Sequence, residues 1–393
     1  MFFFPLTKLK YNLFVLSILF SSTVYCQIQI WGTSPAGGED AIGSVYSIVD
    51  NEIEYTLNST FNNSEEGATP KSSLVFTEDG VIYGISADGG ANNAGTIFRY
   101  SNGEFEVLHH LEIETDGTNA SADLIQVDSE TFIGATFNGG ESGGGVLFQF
   151  SLTNGFTDLF HFDASDSGSN PTGGLVYDDG NIYGACSNGG LFGFGCIWRF
   201  TGLNLNILHN FLGGDAGSYP RSGVMLAENG ELYGSTQFGG ENSQGTIFKI
   251  ETDGSGFETL YNLNSSTSDG RYPLGKLVES SPGTFLGTCS EGGSSGSGTV
   301  FSITENGEYS SLKSLQSSVD GGFPKSGLSQ VLDGKFYGVT EFGGSNGFGT
   351  VFSVDESGNY TVLHNFDYTS DGANPQSSLT SNGSLLAGVT ATG

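Results

Sequence analysis

Internal repetition at a period of about fifty residues is the feature that most narrows the folds open to this chain. An apolar–aromatic–Gly element recurs as Ile30-Trp31-Gly32, Ile82-Tyr83-Gly84, Ile182-Tyr183-Gly184, Leu232-Tyr233-Gly234 and Phe336-Tyr337-Gly338. Weaker copies are Phe132-Ile133-Gly134, Phe285-Leu286-Gly287 and Leu386-Ala387-Gly388. Successive glycines of this element lie 52, 50, 50, 50, 53, 51 and 50 residues apart. A Gly-Gly pair follows five residues on in all but the last copy, as at Gly89-Gly90 and Gly343-Gly344. A second element reads Gly95-Thr96-Ile97-Phe98, Gly245-Thr246-Ile247-Phe248 or Gly349-Thr350-Val351-Phe352. A third ends in His at His109, His161, His209 and His364. A fourth, Asp-Gly-x-x-Pro, is clearest at Asp269, Asp320 and Asp371.

Each unit therefore holds four short runs rich in Val, Ile, Phe, Tyr and Thr, of strand length and strand composition. Asn-Gly and Asp-Gly pairs such as Asp179-Gly180 and Asn306-Gly307 separate them, and these supply the positive φ of tight hairpins. No stretch after the N-terminal segment sustains a helical period. The expectation is an all-β chain: a β-propeller of four-stranded antiparallel blades, a ring that leaves no long sheet edge exposed. The unit count predicts seven blades, or eight with the last incomplete. The ring closes either through N-terminal strands completing the last blade or through blades that each begin at the Gly-Thr-Val-Phe element. Residues 27–393 are expected to form this single domain, and the chain is expected to be monomeric.

Residues 1–26 read as a secretory signal: Lys8 and Lys10, then the apolar run Leu13 to Phe20, then small residues before Cys26. Cleavage after Cys26 is expected; lipid modification of Cys26 is the alternative, opposed by the bulky Tyr25. Export leads to a secreted or cell-surface location. The run is too short to span a bilayer, and no later segment is apolar enough to do so. A formal net charge of −31 makes a nucleic-acid partner unexpected.

The run Tyr-Gly-x-Thr-x-x-Gly-Gly followed by Gly-Thr-Val-Phe, best seen from Glu341 to Phe352, resembles the GloVer-type tandem repeat of secreted bacterial proteins. The resemblance extends from Gly32 to Gly393. It implies an exported, propeller-like repeat protein, often held at the cell surface by a C-terminal anchoring or sorting module. This chain ends inside a repeat and shows no such module, which suggests a longer natural chain.

Candidate chemistry is sparse. Asp116, Asp166, Asp215, Asp269, Asp320 and Asp371 recur once per unit, on the face shared with the Gly-Gly loops. Two readings stand: the carboxylates shape their turns, or they form a ring that binds Ca²⁺ or a polar ligand. The equal register of the histidines spreads them a blade apart, so no metal centre is expected. Phe192, Phe194 and Phe348 are loop aromatics that stack on a ligand or pin their hairpins. Arg221 and Arg271, with Lys276, Lys325 and Lys335, are scarce cations that break the symmetry of an acidic chain. Cys186 and Cys196 replace a hydroxyl pair found in other units, such as Thr236 and Thr246, and are expected to form a disulfide. Cys289 is expected buried and free. No catalytic constellation is found. The expected function is a binding scaffold for a protein or glycan partner; the alternative is a lyase or hydrolase with its site at the central channel mouth.

Overall fold

The computed structural model describes residues 29–34, 44–49, 54–61, 65–77, 79–101, 103–264, 268–331, 334–368, 372–381 and 385–392. The signal segment and Asp371 lie outside these residues. Six sheets are each built from one consecutive stretch of chain, within 75–110, 118–161, 169–210, 224–262, 270–314 and 329–365. Their strands run in sequence order from the inner to the outer edge, and all their pairings are antiparallel. These are the antiparallel blades of a β-propeller, with four strands or with four plus a short extra one where the inner strand is interrupted.

The expectation of seven or eight such blades is corrected to six contiguous ones. The remaining strands join both ends of the chain in one six-stranded sheet. There Gln29–Ser34 lies parallel to Leu385–Thr392, pairing Ile30 with Leu386 and Gly32 with Gly388. The reason lies in the repeat count. Eight copies of the apolar–aromatic–Gly strand exist, six fill contiguous blades, and the first and last share the composite sheet side by side. Its inner strand neighbours that of the first blade, so seven inner segments surround one central channel.

The repeat elements are halves of single contacts. The Gly of the first element faces the aromatic of the second across the strand pair, as in Gly84–Phe98, Gly184–Trp198 and Gly338–Phe352. A Cβ on any of these glycines would overlap the ring. Aromatic side chains thereby cover bare backbone and fill the space between blades; Phe98, Phe148, Trp198, Phe248, Phe301 and Phe352 are all fully buried. A bulge immediately before this aromatic recurs in every blade, for instance between Ile97 and Phe98 and between Val351 and Phe352. It shifts the outer strand by one residue.

The hydroxyls that flank these contacts latch the loops. Thr340 and Thr350 lie 2.8 Å apart, and Thr350 Oγ1 donates to the Asp320 carbonyl. Ser86 and Thr96 form the same pair, with Thr96 Oγ1 donating to Glu66 O. In the blade within 169–210, Cys186 and Cys196 are direct cross-strand partners, and Cys196 Sγ reaches Ser167 O. All three described cysteines are buried free thiols in this structure. Burial, together with the neighbouring Cys196, raises the Cys186 thiol well above its ordinary value. The two residues of the expected disulfide therefore stand side by side as free thiols. For the chain from residue 27, labelling in denaturant without reductant should find one reactive thiol, Cys289. Labelling after reduction should find three. Three without reductant would end the disulfide.

Candidate functional site: a cation-lined channel mouth

The Asp-Gly-x-x-Pro loop carries the chain from the outer edge of one blade to the inner strand of the next. It runs beside the Gly-Gly loop, as the bridges Ala68–Asp88, Ser218–Phe238 and Gly322–Phe342 record. The two loops therefore share one face, as their alternation along the chain requires.

The loop carboxylates do not converge on a ligand. Asp116, Asp269 and Asp320 are buried and turn back to the outer strand. Asp116 meets His109 at 2.7 Å, Asp269 accepts from Tyr261 Oη at 2.8 Å, and Asp320 meets Lys313 at 2.9 Å. Each of those partners then lies against an aromatic ring of the next blade: His109 on Phe156, Tyr261 on Tyr309 and Lys313 over Tyr360. The carboxylate, the third-element residue and the neighbouring ring form a strut between blades. Burial pushes the Asp116 carboxyl up, but hydrogen bonds from His109, Thr115 and the Glu112 N–H outweigh it and hold it below its ordinary value. Asp166 and Asp215 are exposed. Among the described residues no group of three or more His, Cys, Asp or Glu side chains is arranged to hold a metal ion.

His209 occupies the same position without a carboxylate. Its ring stacks on Phe257 at 3.7 Å, and its buried Nε2 has no partner. Burial lowers its pKa to about 4. A neutral His209 in the fold and an ordinary one in the unfolded chain (near 6.5) bind protons unequally between these values. The stability it contributes is complete above about pH 6.5 and is lost as pH falls toward 4. Allowing for its partial exposure, the loss is roughly 1–2 kcal/mol. His209→Phe should flatten the thermal-midpoint profile between pH 6.5 and 4; an unchanged slope would refute this assignment.

The site that does break the symmetry is the channel. The residue after the loop turn comes from all seven repeats: Lys71, Ser121, Thr172, Arg221, Leu274, Lys325 and Gln376 ring the mouth. Two residues deeper, the equivalent positions are Ser73, Asp123, Gly174, Gly223, Lys276, Gly327 and Ser378. The glycines leave the lumen open there, and Lys276 crosses it. Its Nζ lies 3.4 Å from the Leu175 carbonyl, two inner strands away, and a Cβ on Gly174 would overlap its side chain. Lys276 and Asp123 border the space on both sides of this level, so they form the floor of a cup of about 220 Å³.

Four of the chain's 12 lysines and arginines, Lys71, Arg221, Lys276 and Lys325, line this cup, with Asp123 as the lining carboxylate. Asp123 accepts a 2.7 Å hydrogen bond from Ser73 Oγ. Lys325 is held at 2.7 Å by the buried Glu341, which also accepts from Gln376. Lys71 donates to Asn119 Oδ1. Among the described residues, the exposed Arg221 guanidinium makes no hydrogen bond or ion pair. The hydroxyls of Ser121 and Ser326, both in the lining, are buried without a partner. Burial pulls the Lys276 amine below the usual lysine range, and the Asp123 carboxylate opposes that shift.

Of the residues singled out in the sequence, Arg221 lies at the channel mouth. Arg271 does not: it pairs with Glu291 at 3.1 Å and lies over the Tyr272 ring. Phe192, Phe194 and Phe348 are partly exposed in the Gly-Gly loops and do not line the channel. Phe194 packs against Gly213, and Phe348 contacts Tyr368. Lys71, Ser121, Asp123 and Ser326 were missed. A signal was available at Asp123, the one carboxylate at a position three residues past the loop turn where the equivalents are Ser73, Gly174, Gly223, Lys276, Gly327 and Ser378.

The Gloeobacter/Verrucomicrobia repeat matches this chain twice, over residues 27–224 and 199–393. The chain belongs to that repeat family. No curated protein matches it. Among solved structures, the chain resembles a putative 6-phosphogluconolactonase from Bacteroides fragilis, with a TM-score of 0.59 at 12% identity, over 91% of this chain and 98% of that one. A second putative 6-phosphogluconolactonase, from Bacteroides uniformis, gives 0.58 at 16% identity, over 86% and 94%. A streptogramin B lyase gives 0.54 at 18%, over 80% and 88%. At these identities the likeness is one of fold. Among the described residues no helix is long and apolar enough to cross a membrane.

Proposed function

We propose that this repeat-family member is an exported binding protein whose site is the cation-lined cup at the channel mouth, and that it takes an anionic ligand there. The observation that carries the reading is the gathering of Lys71, Arg221, Lys276 and Lys325 around one cavity in a chain of net charge −31. Glu341 and Asp123 offset two of these four charges, and the positive charge that remains favours an anion in the cup. The exposed, unpaired Arg221 guanidinium offers donors for it.

Binding rather than catalysis fits the surroundings. The four third-element histidines sit on outer strands, and Asp123 is engaged by Ser73. The cup's titratable pair, Asp123 and Lys276, lies at its floor, and the donors at its mouth serve binding. Calorimetric titration with citrate, against neutral glycerol, tests the reading. Citrate should bind and glycerol should not; equal behaviour of the two would refute it.

A further inference from the structure

The turn that precedes the channel ring differs between repeats in a way the fold does not require. The residue before the channel-ring turn has a left-handed backbone in every repeat: Thr69, Asn119, Asn170, Tyr219, Tyr272, Phe323 and Asn374, with φ between 47 and 60. Asn tolerates this conformation, and here its side chain is used. Asn170 Nδ2 donates to Phe137 O at 2.9 Å, and Asn374 Nδ2 donates to Glu341 O at 2.9 Å. Bulky aromatics in this region are strained, at a cost of about 1–2 kcal/mol each. Three consecutive repeats nevertheless carry Tyr219, Tyr272 and Phe323.

These three rings meet aromatics of the Gly-Gly loops. Phe238 contacts Tyr219 and Tyr272 edge-to-face at 5.8 and 5.2 Å, and Phe342 contacts Phe323 at 6.0 Å. Phe238 and Phe342 are 37% and 43% exposed, so the rim is an open aromatic surface and not a core. Tyr219 and Phe323 each stand two residues before a channel cation, Arg221 and Lys325, within about 7 Å along the chain. The lining below is rich in hydroxyls, and two of them are unpartnered. Strain kept at one segment of a ring, beside a cationic cup, is the pattern of a functional surface.

We infer that the ligand is an acidic saccharide. This inference rests on the anion-binding reading of the cup. One carboxylate- or sulfate-bearing sugar enters the cup, where its charge meets Arg221 and Lys276. The adjoining sugar lies with its C–H face on the rim of Tyr219, Phe238 and Tyr272. A sugar unites the features an anion alone does not use: an apolar face for the rings and several hydroxyls for the lining. The small cup admits a single residue, so the rim contributes most of the affinity for longer chains.

The test uses residues 27–393 and calorimetric titration with tetragalacturonate, a sulfated chondroitin tetrasaccharide, maltotetraose, a tetraglutamate peptide and inorganic sulfate. Tyr219→Asn and Tyr272→Asn introduce the residue other repeats carry at this turn, so the double variant should fold; unchanged thermal unfolding checks this. At least one acidic tetrasaccharide should bind tenfold or more tighter than sulfate, maltotetraose and tetraglutamate. The double variant should lose that advantage and keep its affinity for sulfate. Sulfate binding as tight as both acidic tetrasaccharides, an undiminished double variant, or preference for tetraglutamate would each overturn the saccharide while leaving the cationic cup. No binding of any anion would remove the cup as well.

Discussion

Gly321→Ala is expected to destabilise the fold by about 2–4 kcal/mol, the sum of a backbone cost at φ 86, ψ 179, a region essentially reserved for glycine, and an overpacked contact. Gly321 has φ +86, and a Cβ there would overlap the Thr340 hydroxyl and crowd that of Thr350. That hydroxyl pair also holds the Asp320 carbonyl, so the substitution strains the latch between a loop and its blade. Gly230→Ala is the control. It has φ +84 with nothing within 4 Å of the added carbon, so only the backbone cost of about 1 kcal/mol applies. Urea unfolding of both variants separates the two contributions. Equal losses would show that the latch carries no strain.

Arg221→Met and Lys276→Met are expected to weaken citrate binding tenfold to a hundredfold each. Hydrogen bonds to charged groups contribute about 1.5–3 kcal/mol, and each variant removes at least one such donor from the cup. Lys276→Met should have the larger effect, because its amine lies deeper, where screening by salt is weaker. The same binding should weaken with added sodium chloride, and less steeply in the variants. Arg271→Met supplies the contrast, since Arg271 is paired with Glu291 away from the cup and its loss should leave citrate affinity within a factor of two.

Much of the architecture was readable in the residues because each repeat element has a local physical cause. The Asp179-Gly180 hairpin follows from positive φ at both positions, and the structure has φ 44 and 80 there. The placement of the Asp and Gly-Gly loops on one face follows from alternation in a four-stranded meander. Cys186 and Cys196 were readable as partners because both replace members of the hydroxyl pair. The blade count was not, because sequence copies do not say which strands share a sheet. Eight copies of one strand element leave two, at Ile30 and Leu386, that pair in parallel in the composite sheet.

The site was only partly legible for a related reason. The loop aspartates were singled out because they recur, yet recurrence reflected a strut: Asp116 serves His109 and Phe156 in the next blade. The informative residues were those that break the pattern. Arg221 was recognised as such. Lys276 was noted as a scarce cation, but its reach across the lumen depends on the absence of a side chain at Gly174, which no local pattern displays. The aromatics Tyr219, Tyr272 and Phe323 passed unnoticed because their significance lies in a backbone angle.

The most direct test of the account is the position of a bound anion. Crystals of residues 27–393 soaked in sodium bromide should show their strongest anomalous peak inside the cup, within contact distance of Arg221 and Lys276. Bromide confined to the outer surface, with none between these two side chains, would contradict anion binding in the cup.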